Sequence, residues 1–193
     1  MHNFLVADFE FTVYTKPTGR PRGFFSEIIE YGWVLLDART KELSSQEQSF
    51  VKPKFFPKQA KEGQAFSTIT EDDLAGGIEY PEMIARLSKV YDPTQVYFVA
   101  WGDSDWYVIK EACSRYNTAN PLLAESYVDL SKEYQNFYKL DYRPSLKAAL
   151  DEQQIKLDGL WHTAFDDASN TAKLVAHMLD QGWIVGQCDY KMI

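Results

Sequence analysis

The sequence has little cysteine, few basic residues and no long apolar run. Only Cys113 and Cys188 occur in 193 residues, far apart and without Cys-x-x-Cys spacing. That excludes a disulfide framework and a zinc knuckle and leaves packing as their expected role. Lys and Arg total 20 against 28 Asp and Glu, a formal net charge of −8 at pH 7. Proteins that coat nucleic acid through bulk electrostatics are usually basic, so that class is excluded. An enzyme that gathers divalent cations with carboxylates is not excluded, because bound ions reverse the local sign where a phosphate arrives. No segment is long and apolar enough to suggest a membrane span, and the residues after Met1 enter a strand pattern without a secretory leader. A cytoplasmic protein is therefore expected. The length suits one full core and no repeat is visible, so a single domain over 1–193 is expected.

What is present begins with "FLVADFEFT", Phe4 to Thr12. Along an extended strand successive side chains alternate faces, so Asp8, Glu10 and Thr12 share one face and Phe9 and Phe11 take the other. The Cα atoms of Asp8 and Glu10 are then about 6 to 7 Å apart, close enough for both carboxylates to lean onto one cation. Taken alone, Asp-x-Glu also fits the polar face of a half-exposed edge strand. The apolar run that leads to Asp8 instead resembles a central strand buried on both faces.

The Pro- and Gly-containing "YTKPTGRPRGFF" reads as a loop, followed by strands in "EIIEYGWVLLD" and "EQSFVKP", the latter stopped by Pro53. These three strands are spaced to pair as an antiparallel meander. From Ser67 the character changes. "STITEDDL" carries helix-start chemistry with Thr70 as N-cap, and "EYPEMIARLSKVY" places Met83, Ile84, Leu87 and Val90 at helical spacing. A buried strand, "VYFVAWG", then precedes a helix with Val108, Ile109, Ala112 and Tyr116 on its inward stripe. "ESYVDLS" predicts a fifth strand and "SLKAALDEQ" a helix; "DDASNTAKLVAHMLDQG" predicts a last helix burying Ala168, Ala172, Val175 and Leu179 and stopped by Gly182. Three strands followed by strands alternating with helices imply an α/β mixed sheet flanked by helices.

Two more acidic spots fall at strand ends and helix starts. In "AWGDSDWYVI", Asp103 is expected to cap the helix and Asp105 is the better metal candidate. In "HTAFDDASNTA", a continuous helix would leave His162 and Asp167 about 140° apart. His162 is therefore expected on the loop before the helix, with Asp167 in its first turn. Seen alone, His162 also fits a surface or capping histidine, and Asp166 suits the positive end of the helix dipole. Basic residues cluster at Lys16, Arg20 and Arg22, and at Lys52, Lys54, Lys58 and Lys61 around Phe55 and Phe56. Such interleaving fits a single-stranded backbone groove as well as a solvated loop.

The order Asp-x-Glu, Asp, His-x4-Asp, each at a strand end or helix start, resembles the DEDDh subgroup of 3′–5′ exonucleases, which includes RNase T and oligoribonuclease. The elements "DFEFT", "GFFSEIIE", "FVKPKFFPK", "WGDSD" and "HTAFDDASNTA" are similar to those of the sporulation-inhibitor KapD type and of histone-mRNA stem-loop exonucleases, from Phe4 to about Gly182. The resemblance implies a ribonuclease H-like five-stranded sheet, three antiparallel strands and then parallel ones. It implies Asp8, Glu10, Asp105 and Asp167 as ligands of two Mg²⁺ or Mn²⁺ ions, His162 as general base, and substrate contacts at Phe9, Phe11, Thr12, Phe24 and Phe25. The substrate it implies is single-stranded nucleic acid, RNA favoured and single-stranded DNA the alternative; a regulatory protein-binding module on the same fold is the rival. Ala164 and Phe165 depart from the Gly or Leu more usual in the turn before the last acidic pair.

Overall fold

The computed structural model describes residues 3–62 and 69–187. Ser67, Thr68 and Cys188, and the side chain of Lys61, lie outside the described residues. The sheet has five strands: β1 (Asn3–Phe11), β2 (Ile28–Leu36), β3 (Leu43–Phe50), β4 (Val96–Ala100) and β5 (Tyr127–Asp129), in the order β3-β2-β1-β4-β5. Pairing is antiparallel across β3, β2 and β1, and parallel from β1 to β4 and from β4 to β5. This is the mixed, ribonuclease H-like sheet expected. The helices are α1 (Pro57–Glu62), α2 (Glu71–Gly76), α3 (Tyr80–Val90), α4 (Ser104–Tyr116), α5 (Leu130–Tyr138), α6 (Leu146–Glu152) and α7 (Ala164–Asp180). Among the described residues no helix is long and apolar enough to cross a membrane.

β1 is central, and its alternation divides the core. Leu5, Ala7 and Phe9 pack on one side with Met83 and Leu87 of α3 and Ile109 and Ala112 of α4. Phe4 and Val6 pack on the other with Leu130 of α5, Leu150 of α6 and Leu174, Val175 and Met178 of α7. The second face continues past Val6 to Asp8 and Glu10, where the apolar layer stops. Asp8 stands opposite Gly32 in the ladder. A Cβ on Gly32 would overlap the backbone of Ala164 and Phe165, so the missing side chain lets the start of α7 lie directly against β2.

Several boundaries differ from the sequence expectation. β3 starts at Leu43, through mostly exposed side chains held by the ladder to β2; an edge strand with neither face in a core leaves little apolar pattern to read. β5 is only three residues long, because Asp129 accepts the Lys132 N–H and starts α5 at once. Neither α5 nor α1 was expected; α1, "PKQAKE", has no apolar periodicity, and among its described side chains only Ala60 joins the core. Thr70 does cap α2, in a reciprocal capping box with Asp73. Cys113 is a buried free thiol beside the Tyr80 hydroxyl, consistent with packing.

Candidate active site

Asp8 and Glu10 from β1, Asp105 from the first turn of α4, Asp167 from the first turn of α7 and His162 from the preceding loop line one cleft of about 380 Å³. The cleft lies where β1 and β4 run out, the usual ligand edge of an α/β sheet. Glu10, His162 and Asp167 each bring one ligand atom within 4.8 Å of the other two, a grouping that suits a single cation.

Asp105 is only 5% exposed, and its Oδ1 accepts the Phe9 N–H at 3.2 Å. That bond ties α4 to β1 and aims the carboxylate into the cleft. Asp103 does stand at the N-cap position, but its side chain makes no capping hydrogen bond, and it does not line the cleft. The expected cap fails because Asp103 has αR backbone, with φ −109° and ψ −5°, whereas a side-chain cap needs an extended residue.

His162 is exposed on the loop, as expected, and its N–H donates to Asp167 Oδ2 at 3.2 Å. The loop is fastened to α7 by two side chains. Asp166 Oδ2 accepts the Leu160 N–H at 2.8 Å and the Thr163 hydroxyl at 2.9 Å, a task added to its place in the helix dipole. Buried Asn170 accepts the Asp158 N–H at 3.1 Å and donates to the Asp158 and Asp166 carbonyls at 2.8 Å each.

The carboxylates perturb one another. Burial, then repulsion from Asp105, Asp167, Glu10 and Glu30, holds the Asp8 carboxyl well above its ordinary range. Burial pushes Asp105 up to about 7 and Asp167 up to about 6, the latter opposed by the His162 N–H. Burial also raises Glu10, against the lowering effect of His162. Each raised value means that the site without a cation holds protons reluctantly given up.

A further carboxylate joins them that sequence reading did not single out. Glu30 faces Glu10 across the β1–β2 ladder, is 6% exposed, and is pushed by burial up to about 7. It accepts the N–H of Ala164 at the start of α7, while its Oε2 has no partner among the described residues. The signal was the one that marked Asp8, a carboxylate inside an apolar run, here "EIIEYG". Trp101 and Ser104 also line the cleft.

The expected substrate contacts divide. Phe9, Phe11 and Thr12 line the cleft. The Phe9 ring, however, is 3% exposed and stacks on Phe98 at 6.3 Å, because its face of β1 is the core face. Thr12 is buried with its hydroxyl accepting the Glu27 N–H at 2.9 Å, which leaves Phe11 as the half-buried ring. Phe24 and Phe25 do not line the cleft; they pack with Phe55 and Phe56 beside it.

Residues 5–175 match the family model described as Exonuclease. The chain belongs to the exonuclease family. Over 175 residues it is 33% identical to the probable 3′-5′ exonuclease KapD of Bacillus subtilis, covering 90% of this chain and 82% of that protein. With 3′-5′ exoribonuclease 1 of Homo sapiens it shares 28% identity over 188 residues, 92% of this chain and 52% of the human protein. The chain thus spans about half the length of that relative. The nuclease domain of 3′hExo, described as a DEDDh family member bound to rAMP, superposes with a TM-score of 0.80 at 25% identity, covering 93% of this chain and 92% of that one. Apo exonuclease I, at 15% identity and a TM-score of 0.68 over 93% of this chain and 44% of that one, shares the fold. Exonuclease family members of this fold use divalent metal ions.

Proposed function

We propose that the chain is a single 3′–5′ exonuclease domain of the DEDDh type that shortens single-stranded RNA from its 3′ end and releases nucleoside monophosphates. The observation that carries this reading is the convergence of Asp8, Glu10, Asp105, Asp167 and loop His162 on one cleft. RNA is favoured over DNA because the human relative is named an exoribonuclease.

The donor set fits Mg²⁺ or Mn²⁺. It consists of hard carboxylate oxygens without cysteine, and the buried Asp167 Oδ1 has no hydrogen-bond partner among the described residues. Asp8, Glu10, Asp105 and Asp167 would hold two such ions. When bound, the pair neutralises charge on the attacking and leaving oxygens of the phosphodiester. His162, exposed at the cleft beside Glu10 and Asp167, accepts the proton of the attacking water. Phe11 and Trp101, both half-buried on the cleft wall, offer ring faces for the terminal base.

The test is digestion of 5′-labelled RNA and DNA strands, single- and double-stranded, with Mg²⁺, Mn²⁺ or EDTA. The expected result is stepwise shortening of single-stranded RNA from a free 3′ end, abolished by EDTA. An unchanged ladder from a 3′-blocked strand, or persistence in EDTA, overturns the mechanism; preference for DNA overturns the substrate.

A further inference from the structure

Beside the cleft a continuous series of aromatic rings leads away from it. Val13 lines the cleft, and the series starts at the next residue. Tyr14 meets Phe24 with ring centroids 5.8 Å apart, Phe24 meets Phe56 at 5.0 Å, Phe56 meets Phe25 at 5.5 Å, Phe25 meets Phe55 at 5.3 Å and Phe55 meets Tyr116 at 5.1 Å. Cations lie over the rings. The guanidinium of Arg20 stands 5.3 Å from the centre of Phe24 and that of Arg115 5.3 Å from Phe25. The Lys54 ammonium stands 5.6 Å from Phe55 and 5.8 Å from Tyr116. Phe55 is 42% exposed.

The loop that carries Lys54 and Phe55 is held rigidly. Fully buried Glu27 accepts the N–H groups of Lys54 at 2.8 Å, Phe55 at 3.0 Å and Phe56 at 2.6 Å, and the Tyr116 hydroxyl at 2.6 Å. Its own carbonyl accepts the N–H of Thr12, a residue of the cleft wall, at 2.9 Å. One buried carboxylate thus fixes the ring series to the cleft, with its charge satisfied by four donors.

Packing of a loop explains clustered rings. It does not explain why cations gather over them on a chain of net charge −8. Arg115 shares its charge with Glu111 at 2.7 Å, but Arg20 and Lys54 make no ion pair among the described residues. Arg20 beside half-buried Phe24 and Lys54 beside exposed Phe55 match a single-stranded nucleic acid, whose phosphates pair with the cations and whose bases stack on the accessible ring.

We propose that this shelf, carrying Arg20, Lys54 and Arg115, binds the upstream part of a single-stranded substrate while its 3′ end occupies the cleft. The proposal rests on the exonuclease reading and adds a length dependence to it. A strand long enough to reach the shelf binds more tightly than a dinucleotide, whereas the chemical step is the same for both.

The test is the double variant Arg20→Glu/Lys54→Glu, two exposed side chains whose reversal leaves the core untouched. KM and kcat are measured on diuridylate and on a 5′-labelled oligouridylate of about 20 nucleotides, a length beyond one binding site. The expected result is a rise of about tenfold or more in KM for the long strand, with kcat and both diuridylate constants unchanged. Fluorescence anisotropy of the long strand should show the same loss and a salt slope smaller by about 1, and Arg20→Lys/Lys54→Arg should restore both. An unchanged KM and Kd for the long strand, or an equal loss on diuridylate, overturns the shelf. Should the wild type cleave neither substrate, the exonuclease reading fails, and the anisotropy comparison still decides the shelf by itself.

Discussion

His162 adopts left-handed backbone, with φ 63°, a conformation that costs a non-glycine residue of order 1 kcal/mol. It is kept there by its own N–H bond to Asp167 and by the Asp166 and Asn170 contacts that fasten the loop. A side chain so placed stands over the carboxylates without being buried among them. His162→Ala is expected to lower kcat by about two to four orders of magnitude with little change in KM, the loss of a general base. Initial rates on an RNA strand check this; activity within a few-fold of wild type would assign the proton transfer elsewhere. Asp8 is the carboxylate on which the others press from several sides. Asp8→Asn should let the metal-free protein melt at or above the wild-type temperature while erasing most of the metal-induced rise. For wild type that rise corresponds to about 2.7 kcal/mol at 100 times Kd. Thermal melts of both proteins with and without Mg²⁺ separate this from an ordinary solvated strand, in which neither effect occurs.

The start of α7 is the element on which the site depends. Its N-terminus carries Asp167, receives Glu30 at the Ala164 N–H, and lies against Gly32 where β2 has no side chain. Gly32→Ala would place a methyl against the Ala164 and Phe165 backbone, with a stiff strand on one side and a helix on the other. We expect a loss of about 1 to 3 kcal/mol in urea denaturation, together with a fall in kcat as Asp167 is lifted from Asp8 and Glu10. Gly76→Ala, where a Cβ meets nothing within 4 Å, should change neither. If Gly32→Ala kept wild-type turnover, the close approach would be irrelevant to the site. The helices α3, α4 and α7 were readable because each buries one long apolar stripe. α1 and α5 were not: α1 is short and almost without apolar residues, and α5 begins inside what reads as a strand.

For the whole molecule, the clustered carboxylates set how stability varies with pH. Asp105 and Glu30 are raised to about 7 and Asp167 to about 6. In an unfolded chain such groups titrate near about 4. Without metal, the folded state therefore holds more protons than the unfolded one between about pH 4 and 7, and its stability falls as pH rises through that window. Cation binding requires the deprotonated carboxylates, so the metal-induced gain should grow with pH. Melting temperatures in EDTA should drop from about pH 5 to about pH 7.5, while Mg²⁺ should flatten or reverse the slope. A flat profile in EDTA would mean that the carboxylates are not packed together in solution.

The sequence by itself determined which side chains share a strand face, the Thr70 cap that starts α2 and which chemistry the acidic positions offer. All of these follow from local alternation, capping and helical spacing, which depend on residues a few positions apart. The resemblance to DEDDh exonucleases rested on the same short segments. Asp105, which the sequence already favoured over Asp103, lines the cleft through the bond from Phe9 and the backbone shape at the head of α4, which only the tertiary structure supplies. Tertiary structure alone brought Glu30 opposite Glu10, through the register of β1 against β2. It also turned the Phe9 ring into the core and moved Phe24 and Phe25 onto the shelf. The register sets Glu10 against Glu30 across the loop between β1 and β2, the approach of α7 over Gly32 joins residues more than a hundred positions apart, and no local pattern carries that information.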